Sequence, residues 1–222
     1  SELVLCSNLR MANPDTFTII GKTIHGKHIV NWTIPQIQHD ERLEFAKQLE
    51  HIGVVHSQYG TSEEVVLQSG RTFVIHTSPS HDPSKEVPIL FFFHGSRGNA
   101  WNCALQGTGW IQKTNEEDFI VVFGQAVGDK RNEFVYIHER YKGLAFGELY
   151  WEIRDKLPGF KNDLDYIDQI LDHVKLHHKI NSNKIFFMGH SNGGVFSLLL
   201  LLYVPALFAA VCSHMGGIGW DP

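Results

Sequence analysis

One serine lies in a sequence setting that favours nucleophilic chemistry. Ser191 stands in the stretch 189–194, GHSNGG, a G-x-S-x-G pattern followed by one more glycine. In such a pattern the serine occupies a tight, strained turn between a strand and a helix, and small neighbours let a substrate approach its hydroxyl. An apolar strand-like run precedes the pattern, and a helical run follows it. Ser191 is therefore the candidate nucleophile; the alternative is a glycine-rich turn that binds an anion at the helix N-terminus.

A serine that attacks a carbonyl carbon also needs donors for the negative oxygen that forms, and two backbone N–H groups usually supply them. We expect the first donor from Asn192, the residue after the nucleophile. The second is expected from Ser96, in the loop 94–98, HGSRG, which follows an earlier buried strand. The alternative for this loop is a simple strand-ending turn. Four neighbouring residues are candidates for lining a pocket: His94, Gly95, His190 and Trp110.

Other clusters of reactive side chains have simpler interpretations. His173 and His177 stand four residues apart, a spacing that can bind a metal, but a solvated helix end explains it better. The stretch 25–28, HGKH, is interpreted as a polar turn. Neither a metal nor another cofactor is therefore expected. Three tryptophans are candidates for an aromatic acyl pocket, with core packing as an equal alternative: Trp101, Trp110 and Trp151.

The elements that must hold these residues alternate along the chain. Apolar residues at helical spacing predict a helix that begins at Asp163. The run 195–203 predicts a helix that ends before Pro205, and 209–214 predicts one further strand. This alternation argues for an α/β fold with a mainly parallel sheet. Three apolar runs are typical of strands buried on both faces of such a sheet: 88–93, 119–123 and 184–189.

The first 60 residues differ from the rest of the chain. Short β-leaning pieces lie at 16–20 and 28–32, and an amphipathic run opens at Asp40 and ends before Gly53. These features predict an N-terminal extension over residues 1–60 that carries one helix. Residues 61–222 are predicted to form the α/β core, which is expected to be incomplete at its C-terminus.

Composition and charge exclude several classes of protein for this chain. The chain has 222 residues, 43% of them hydrophobic and 19% charged, which suits one compact domain with a core. Its 19 basic and 24 acidic residues give a net charge of −5, so no nucleic-acid partner is expected. The longest apolar run, 195–206, is shorter than the roughly 20 residues that span a bilayer, so no membrane span is expected. Three cysteines allow at most one disulfide bond.

Several of these stretches together resemble the polyhydroxybutyrate depolymerase and feruloyl esterase branch of the α/β-hydrolases. The resemblance covers about residues 64–217. It implies a serine esterase that acts through an acyl-enzyme on polyester, feruloyl or acetyl esters, with no metal. It also implies the chain order nucleophile, acid, histidine. Secretion is compatible with the resemblance, but no signal peptide is found in this chain, so the compartment stays open. The stretches that carry it are 88–98 (PILFFFHGSRG), Gly109-Trp110, 119–123, KNDLDYIDQIL around Asp163, and 184–217 with GHSNGG.

The C-terminal end departs from that pattern. The 31 residues from Asn192 to Pro222 must form a helix and a strand, whereas the family's acid and histidine follow two further strands. One βαβ unit already takes about 30 residues. We therefore expect the acid and the histidine to come from outside this chain or from a longer C-terminus. Two residues inside the chain are weaker candidates for the triad: His214 as the base and Asp221 as the acid.

Two functional hypotheses follow from these residues. In the first, Ser191 attacks a small-molecule or polymer ester while the N–H groups of Ser96 and Asn192 hold the oxyanion. In the second, the fold serves as a non-catalytic binding or assembly module, because a serine without a base is a poor nucleophile. The strand 209–214 would then be an apolar sheet edge, and we expect a partner chain to cover it.

Overall fold

A computed structural model of the chain describes residues 16–23, 26–33, 49–96, 98–127, 150–153 and 158–217. The strands in these residues are β1 (Thr16–Thr23), β2 (Gly26–Thr33), β3 (Leu49–Ser57), β4 (Gly60–Val66), β5 (Thr72–Thr77), β6 (Val87–Phe93), β7 (Ile120–Gly124), β8 (Ile180–His190) and β9 (Ala210–His214). They form one sheet in the order β2-β1-β3-β4-β5-β7-β6-β8-β9. The pairs among β7, β6, β8 and β9 are parallel, and the other pairs are antiparallel.

Helices cover both faces of the parallel part of the sheet. They are α1 (Ala100–Asn102), which continues into a wider turn at Cys103–Gly107, then α2 (Trp110–Glu116), α3 (Pro158–His177) and α4 (Asn192–Tyr203). Successive side chains of a strand point to opposite faces. Accordingly, Phe91 and Phe93 of β6 pack in the core with α3 and α4, whereas Leu90 and Phe92 pack with α1 and α2. The predicted α/β fold with a mainly parallel central sheet is confirmed.

The three apolar runs that predicted buried strands correspond to β6, β7 and β8. The pairing of β6 with β8 places Phe93 opposite Gly189, so these two strands end at the same level. The carboxyl ends of neighbouring parallel strands are where α/β proteins place their ligand sites. The loop after β6 and the serine after β8 therefore leave the sheet side by side. The helix predicted over 195–203 is confirmed as α4, and it ends before a 3₁₀ turn at Pro205–Leu207.

The helix that we expected to begin at Asp163 begins earlier, at Pro158. Proline suits a first helical turn because its missing N–H would have no intrahelical acceptor there. Asp163 lies inside the helix instead, and it is buried. Its Oδ1 accepts a hydrogen bond from Arg71 Nη1 at 2.7 Å. The expected start was wrong because this carboxylate forms a tertiary ion pair rather than capping the helix.

The three N-terminal strands extend the sheet. β1 pairs with β2 and β3, and β3 pairs with β4. The two β-leaning pieces are therefore strands, as expected. A helix was expected between Asp40 and Gly53, and its part up to position 48 lies outside the described residues. From Leu49 onward this prediction is wrong, because the chain there forms β3. Paired β-branched residues at 54–55 favour a strand over a helix. The domain boundary at residue 60 stays a prediction.

Two of the three cysteines lie in the described residues. Cys103 and Cys212 are both free thiols, and Cys6 lies outside those residues. No helix in the described part of the chain has both the length and the apolar character needed to cross a membrane.

His76 of β5 is a buried titratable side chain. Its Nε2 donates to Tyr59 O at 3.0 Å, and its Nδ1 accepts from the Ser62 hydroxyl at 2.8 Å. Burial lowers the pKa of His76 from 6.5 to about 4. Between these two values the unfolded chain binds a proton that the folded chain excludes. Stability is therefore complete above the unfolded pKa and is lost as the pH falls toward the folded one.

We predict that this imidazole makes the free energy of unfolding about 2 kcal/mol smaller at pH 5 than at pH 7. Urea unfolding at the two pH values measures the difference. In His76→Gln the pH dependence should shrink by that amount. The matched control is His56→Gln, at an exposed position of β3, two strands away in the sheet, which should keep the full dependence. Equal pH dependence in His76→Gln and the wild type would contradict a buried neutral imidazole.

Candidate functional site

Ser191 forms the turn between β8 and α4. Its φ of 52° and ψ of −116° lie where non-glycine residues are rare, and such strain persists only when the surrounding structure enforces it. Its N–H donates to His214 O at 2.8 Å, and its own carbonyl accepts from Val195 N–H at 3.0 Å. The strained strand-to-helix turn that the sequence pattern predicts is present, and Ser191 stands at its tip.

Glycines make this turn sterically feasible. A Cβ at Gly189 would collide with the carbonyl of Gly193, and a Cβ at Gly193 would collide with the carbonyls of Phe93 and His94. The first turn of α4 is therefore packed backbone to backbone against the ends of β6 and β8.

The loop after β6 lies directly against the serine. A Cβ built on Gly95 would lie 3.2 Å from Ser191 Cβ and 3.2 Å from His190 O, so only a residue without a side chain fits comfortably. Asn192 is the first residue of α4, and the N–H groups of a first helical turn have no intrahelical acceptor. The structure thus brings the segments that carry Ser96 and Asn192 together at Ser191.

His94 orients one peptide of this loop. The side chain is buried, and its Nε2 accepts from Ala126 N–H at 3.1 Å. The proton must therefore sit on Nδ1, which donates to Gly95 O at 2.8 Å. The same oxygen accepts from Gly98 N–H at 3.0 Å. Because the peptide is trans, the Ser96 N–H points away from that bonded carbonyl. The His94 ring therefore fixes the Gly95 carbonyl and the Ala126 N–H, and it is not placed to act as a base for Ser191.

Two histidines beside the turn bond each other. His190 and His214 occupy paired positions at the ends of β8 and β9, and their Nδ1 atoms lie 2.9 Å apart. Burial, and then the neighbouring His214, lower the pKa of His190, which favours its neutral form. Among the described residues no side chain hydrogen bonds to Ser191 Oγ. Asp221, the candidate acid, lies outside those residues.

The remaining candidates are distributed through the core and on one helix. Trp110 packs on Phe119 with ring centroids 6.2 Å apart, in the layer of α1 and α2, and it stays a pocket candidate. Trp101 and Trp151 are buried in the two core clusters, as the packing alternative required. The paired histidines of α3 have ring centroids 4.7 Å apart. In the part of the chain that the structure describes, no three potential metal ligands lie together.

Two contributors to the site were missed in the sequence. Gln125, directly after β7, is buried; its Oε1 accepts from Ala100 N–H at 3.0 Å, and its Nε2 donates to Ala126 O at 3.0 Å. A polar residue that follows a buried strand at the same sheet edge as His94 is the signal that could have identified it. The second is the amide side chain of Asn192, which bonds the backbone of Trp151. No local sequence pattern indicates that contact.

Fold and site together define a class. A mainly parallel sheet covered by helices, with a serine on a strained turn and a glycine loop beside it, is the arrangement of the α/β-hydrolases. The chain belongs to the esterase family whose model carries the description "Putative esterase", and the model matches residues 65–219. The predicted family resemblance is confirmed at this level.

Similar proteins support the same assignment. The "Uncharacterized hydrolase R843" of Acanthamoeba polyphaga mimivirus is 33% identical over 173 residues, which cover 68% of this chain and 53% of the viral protein. The chain therefore spans about half the length of this relative.

Solved structures share the fold. A ferulic acid esterase aligns with a TM-score of 0.54 and 14% identity over 72% of this chain and 60% of its own. An S-formylglutathione hydrolase from Agrobacterium tumefaciens aligns with a TM-score of 0.54 and 17% identity over 72% and 59%. The ferulic acid esterase AmCE1/Fae1A from Anaeromyces mucronatus gives a TM-score of 0.50 and 16% identity over 79% and 63%. At these identities the likeness shows the fold alone.

The packing of Gly193 generates a stability prediction. In Gly193→Ala the new methyl group meets two carbonyls of fixed backbone, so we expect a loss on the order of 3 kcal/mol or more, or failure to fold. Gly217→Ala is the matched control, because a Cβ there meets nothing within 4 Å. Urea unfolding of the two variants measures the difference. Equal stability of the two variants would show that α4 does not pack on β6 as described.

Proposed function

We propose that this chain hydrolyses carboxylic esters through an acyl-enzyme on Ser191. The observation that carries the proposal is the strained turn at Ser191 with the glycine loop of β6 packed against it. A buried glycine-rich turn without catalytic use has no need to expose a serine at φ 52°, since a glycine would adopt that conformation without strain.

The proposed reaction has two halves. Ser191 Oγ attacks the ester carbonyl carbon as its proton passes to a general base, and the carbonyl oxygen becomes an oxyanion held by the N–H groups of Ser96 and Asn192. The intermediate collapses and the alcohol leaves with that proton. Water then attacks the acyl-enzyme by the same route, which releases the acid and restores the serine hydroxyl. In this proposal the base lies outside the described residues, because no described side chain hydrogen bonds to Ser191 Oγ.

The ester class proposed for the chain is a polyester, feruloyl or acetyl ester. The support is the sequence resemblance to feruloyl esterases and the fold shared with structures named as ferulic acid esterases. Hydrolysis rates on methyl ferulate, p-nitrophenyl acetate and oligomeric hydroxybutyrate would rank these classes.

A second candidate function is a binding or assembly module. It is favoured by the sheet edge at β9, which in the described residues pairs with β8 on one side only, and by Ser191 Oγ having no bonded base there. A partner chain that adds a strand to β9 would serve this function.

Covalent labelling separates the two functions. We predict that a fluorophosphonate probe labels the 222-residue chain at one site, and that mass spectrometry of the tryptic peptides places the adduct on Ser191. Ser191→Ala should abolish labelling. Ser182→Ala, at an exposed position of β8, should leave it unchanged. Absence of labelling in the wild type would favour the binding module, or a fragment whose base lies beyond this chain.

The oxyanion loop gives a kinetic prediction. Ser96→Pro removes the proposed N–H donor, so kcat for p-nitrophenyl acetate should fall on the order of 100-fold. Ser96→Ala keeps that N–H and removes only an exposed hydroxyl, so its kcat should stay within about 2-fold of the wild type. If the two variants have the same kcat, Ser96 is not the donor.

A further inference from the structure

Trp151 is bonded to both segments that carry the proposed oxyanion donors. Its N–H donates to Asn192 Oδ1 at 2.7 Å, and its carbonyl accepts from Asn192 Nδ2 at 3.1 Å. Its indole Nε1–H donates to His94 O at 2.9 Å. His94 leads directly into the Gly95–Ser96 peptide, and Asn192 opens α4. One residue therefore links the loop after β6 to the helix after β8.

The ring of Trp151 is held firmly enough to act as such a link. The side chain is fully buried and stacks on Phe196 with centroids 5.0 Å apart and an interplanar angle of 11°. Phe93 meets it edge-on at 4.9 Å. Gly124, at the end of β7, leaves the space for the ring, because a Cβ there would lie 2.9 Å from Trp151 Cη2. The indole N–H is therefore delivered to His94 O in one orientation.

The backbone of the same segment is anchored by a buried ion pair. Glu152 N–H donates to Asp163 Oδ2 at 3.0 Å, while Asp163 Oδ1 pairs with Arg71 Nη1 at 2.7 Å. Arg71 Nη2 donates to Gln125 O at 3.1 Å, and its guanidinium lies 3.6 Å from the centre of the Tyr166 ring. Burial raises the pKa of the Asp163 carboxyl, and Arg71 opposes that rise. The pair thus joins the Trp151 segment to the end of β7.

We propose that Trp151 is the positioning residue of the oxyanion hole, that the Asn192 amide locks its backbone, and that the Arg71–Asp163 pair anchors its segment. The proposal rests on the proposed function, because an oxyanion hole matters only if Ser191 reacts. Two N–H donors on separate chain segments stabilise the transition state only when their separation is fixed beforehand. Trp151 fixes it by bonding both segments, and it touches neither the substrate nor the reacting atoms.

The central experiment removes the indole N–H donor of Trp151 and keeps an aromatic ring at that position. In Trp151→Phe the bond to His94 O is lost, and an aromatic ring remains to pack on Phe196. We expect kcat for p-nitrophenyl acetate to fall on the order of 10- to 100-fold with KM within about 2-fold, because only the transition state needs the aligned donors. Trp101→Phe is the matched control, since its buried indole N–H has no acceptor among the described residues.

Conservative rescue distinguishes positioning from general packing. Asn192→Ala loses both bonds to Trp151 and should lower kcat as strongly as Trp151→Phe does. Asn192→Asp keeps an acceptor for the Trp151 N–H but has no donor for its carbonyl, so its kcat should be intermediate. If Asn192→Asp and Asn192→Ala are equally slow, or if KM rises as much as kcat falls, the proposal is overturned.

Hydrogen exchange measures the same link without catalysis. Mass spectrometry should show faster amide exchange at His94–Ser96 in Trp151→Phe and Asn192→Ala than in the wild type and Trp101→Phe. Unchanged exchange at His94–Ser96 would contradict the positioning role of Trp151, whether or not the chain is an esterase. Faster exchange in the two variants, together with a wild-type chain that neither labels nor hydrolyses, would support the link and contradict the proposed function instead.

Discussion

The close approach of α4 to the end of β6 is the contact on which the whole site depends. It is a contact between backbones, and it exists because Gly193 carries no side chain where the carbonyls of Phe93 and His94 come near, and Gly189 carries none where the carbonyl of Gly193 comes near. Without it the helix would stand farther from the sheet, and Ser191 would have no reason to hold a positive φ. The same approach decides where the glycine loop of β6 lies, since Gly95 rests on the serine itself.

Around that contact several buried side chains carry polar groups, and the bonds described for them run mainly to backbone atoms. His94 holds the carbonyl of Gly95, Gln125 holds Ala100 and Ala126, and Trp151 holds His94. Unpaired buried polar groups are costly, so each of these bonds selects one arrangement of the loops and penalises the others. In the proposed function these bonds hold the loops that carry the oxyanion donors in one arrangement, and a preformed geometry there has most effect on a reaction barrier.

The sequence allowed the local features to be predicted and left the long-range ones open. Apolar runs identified β6, β7 and β8, and the glycine pattern identified Ser191, because those signals reside in consecutive residues. The start of α3 was misplaced because Asp163 pairs with Arg71, a partner more than ninety positions away in the chain. The role of Trp151 was open for the same reason: its acceptor on His94 and its partner Asn192 come from other parts of the fold. Secondary-structure propensity depends on residues that are neighbours in the sequence, whereas these hydrogen bonds form between segments that only the folded sheet brings together.

The order of strands in the sheet has a consequence for how the molecule assembles. β6 lies between β7 and β8, and β8 is contributed from a distant part of the sequence. Parallel pairings of this kind form slowly, since a long loop must close before any contact compensates for its entropy. The strained turn at Ser191 can be held only after that closure. If Ser191 is the nucleophile, as proposed, its reactivity therefore arises late in folding, after the central strands have joined.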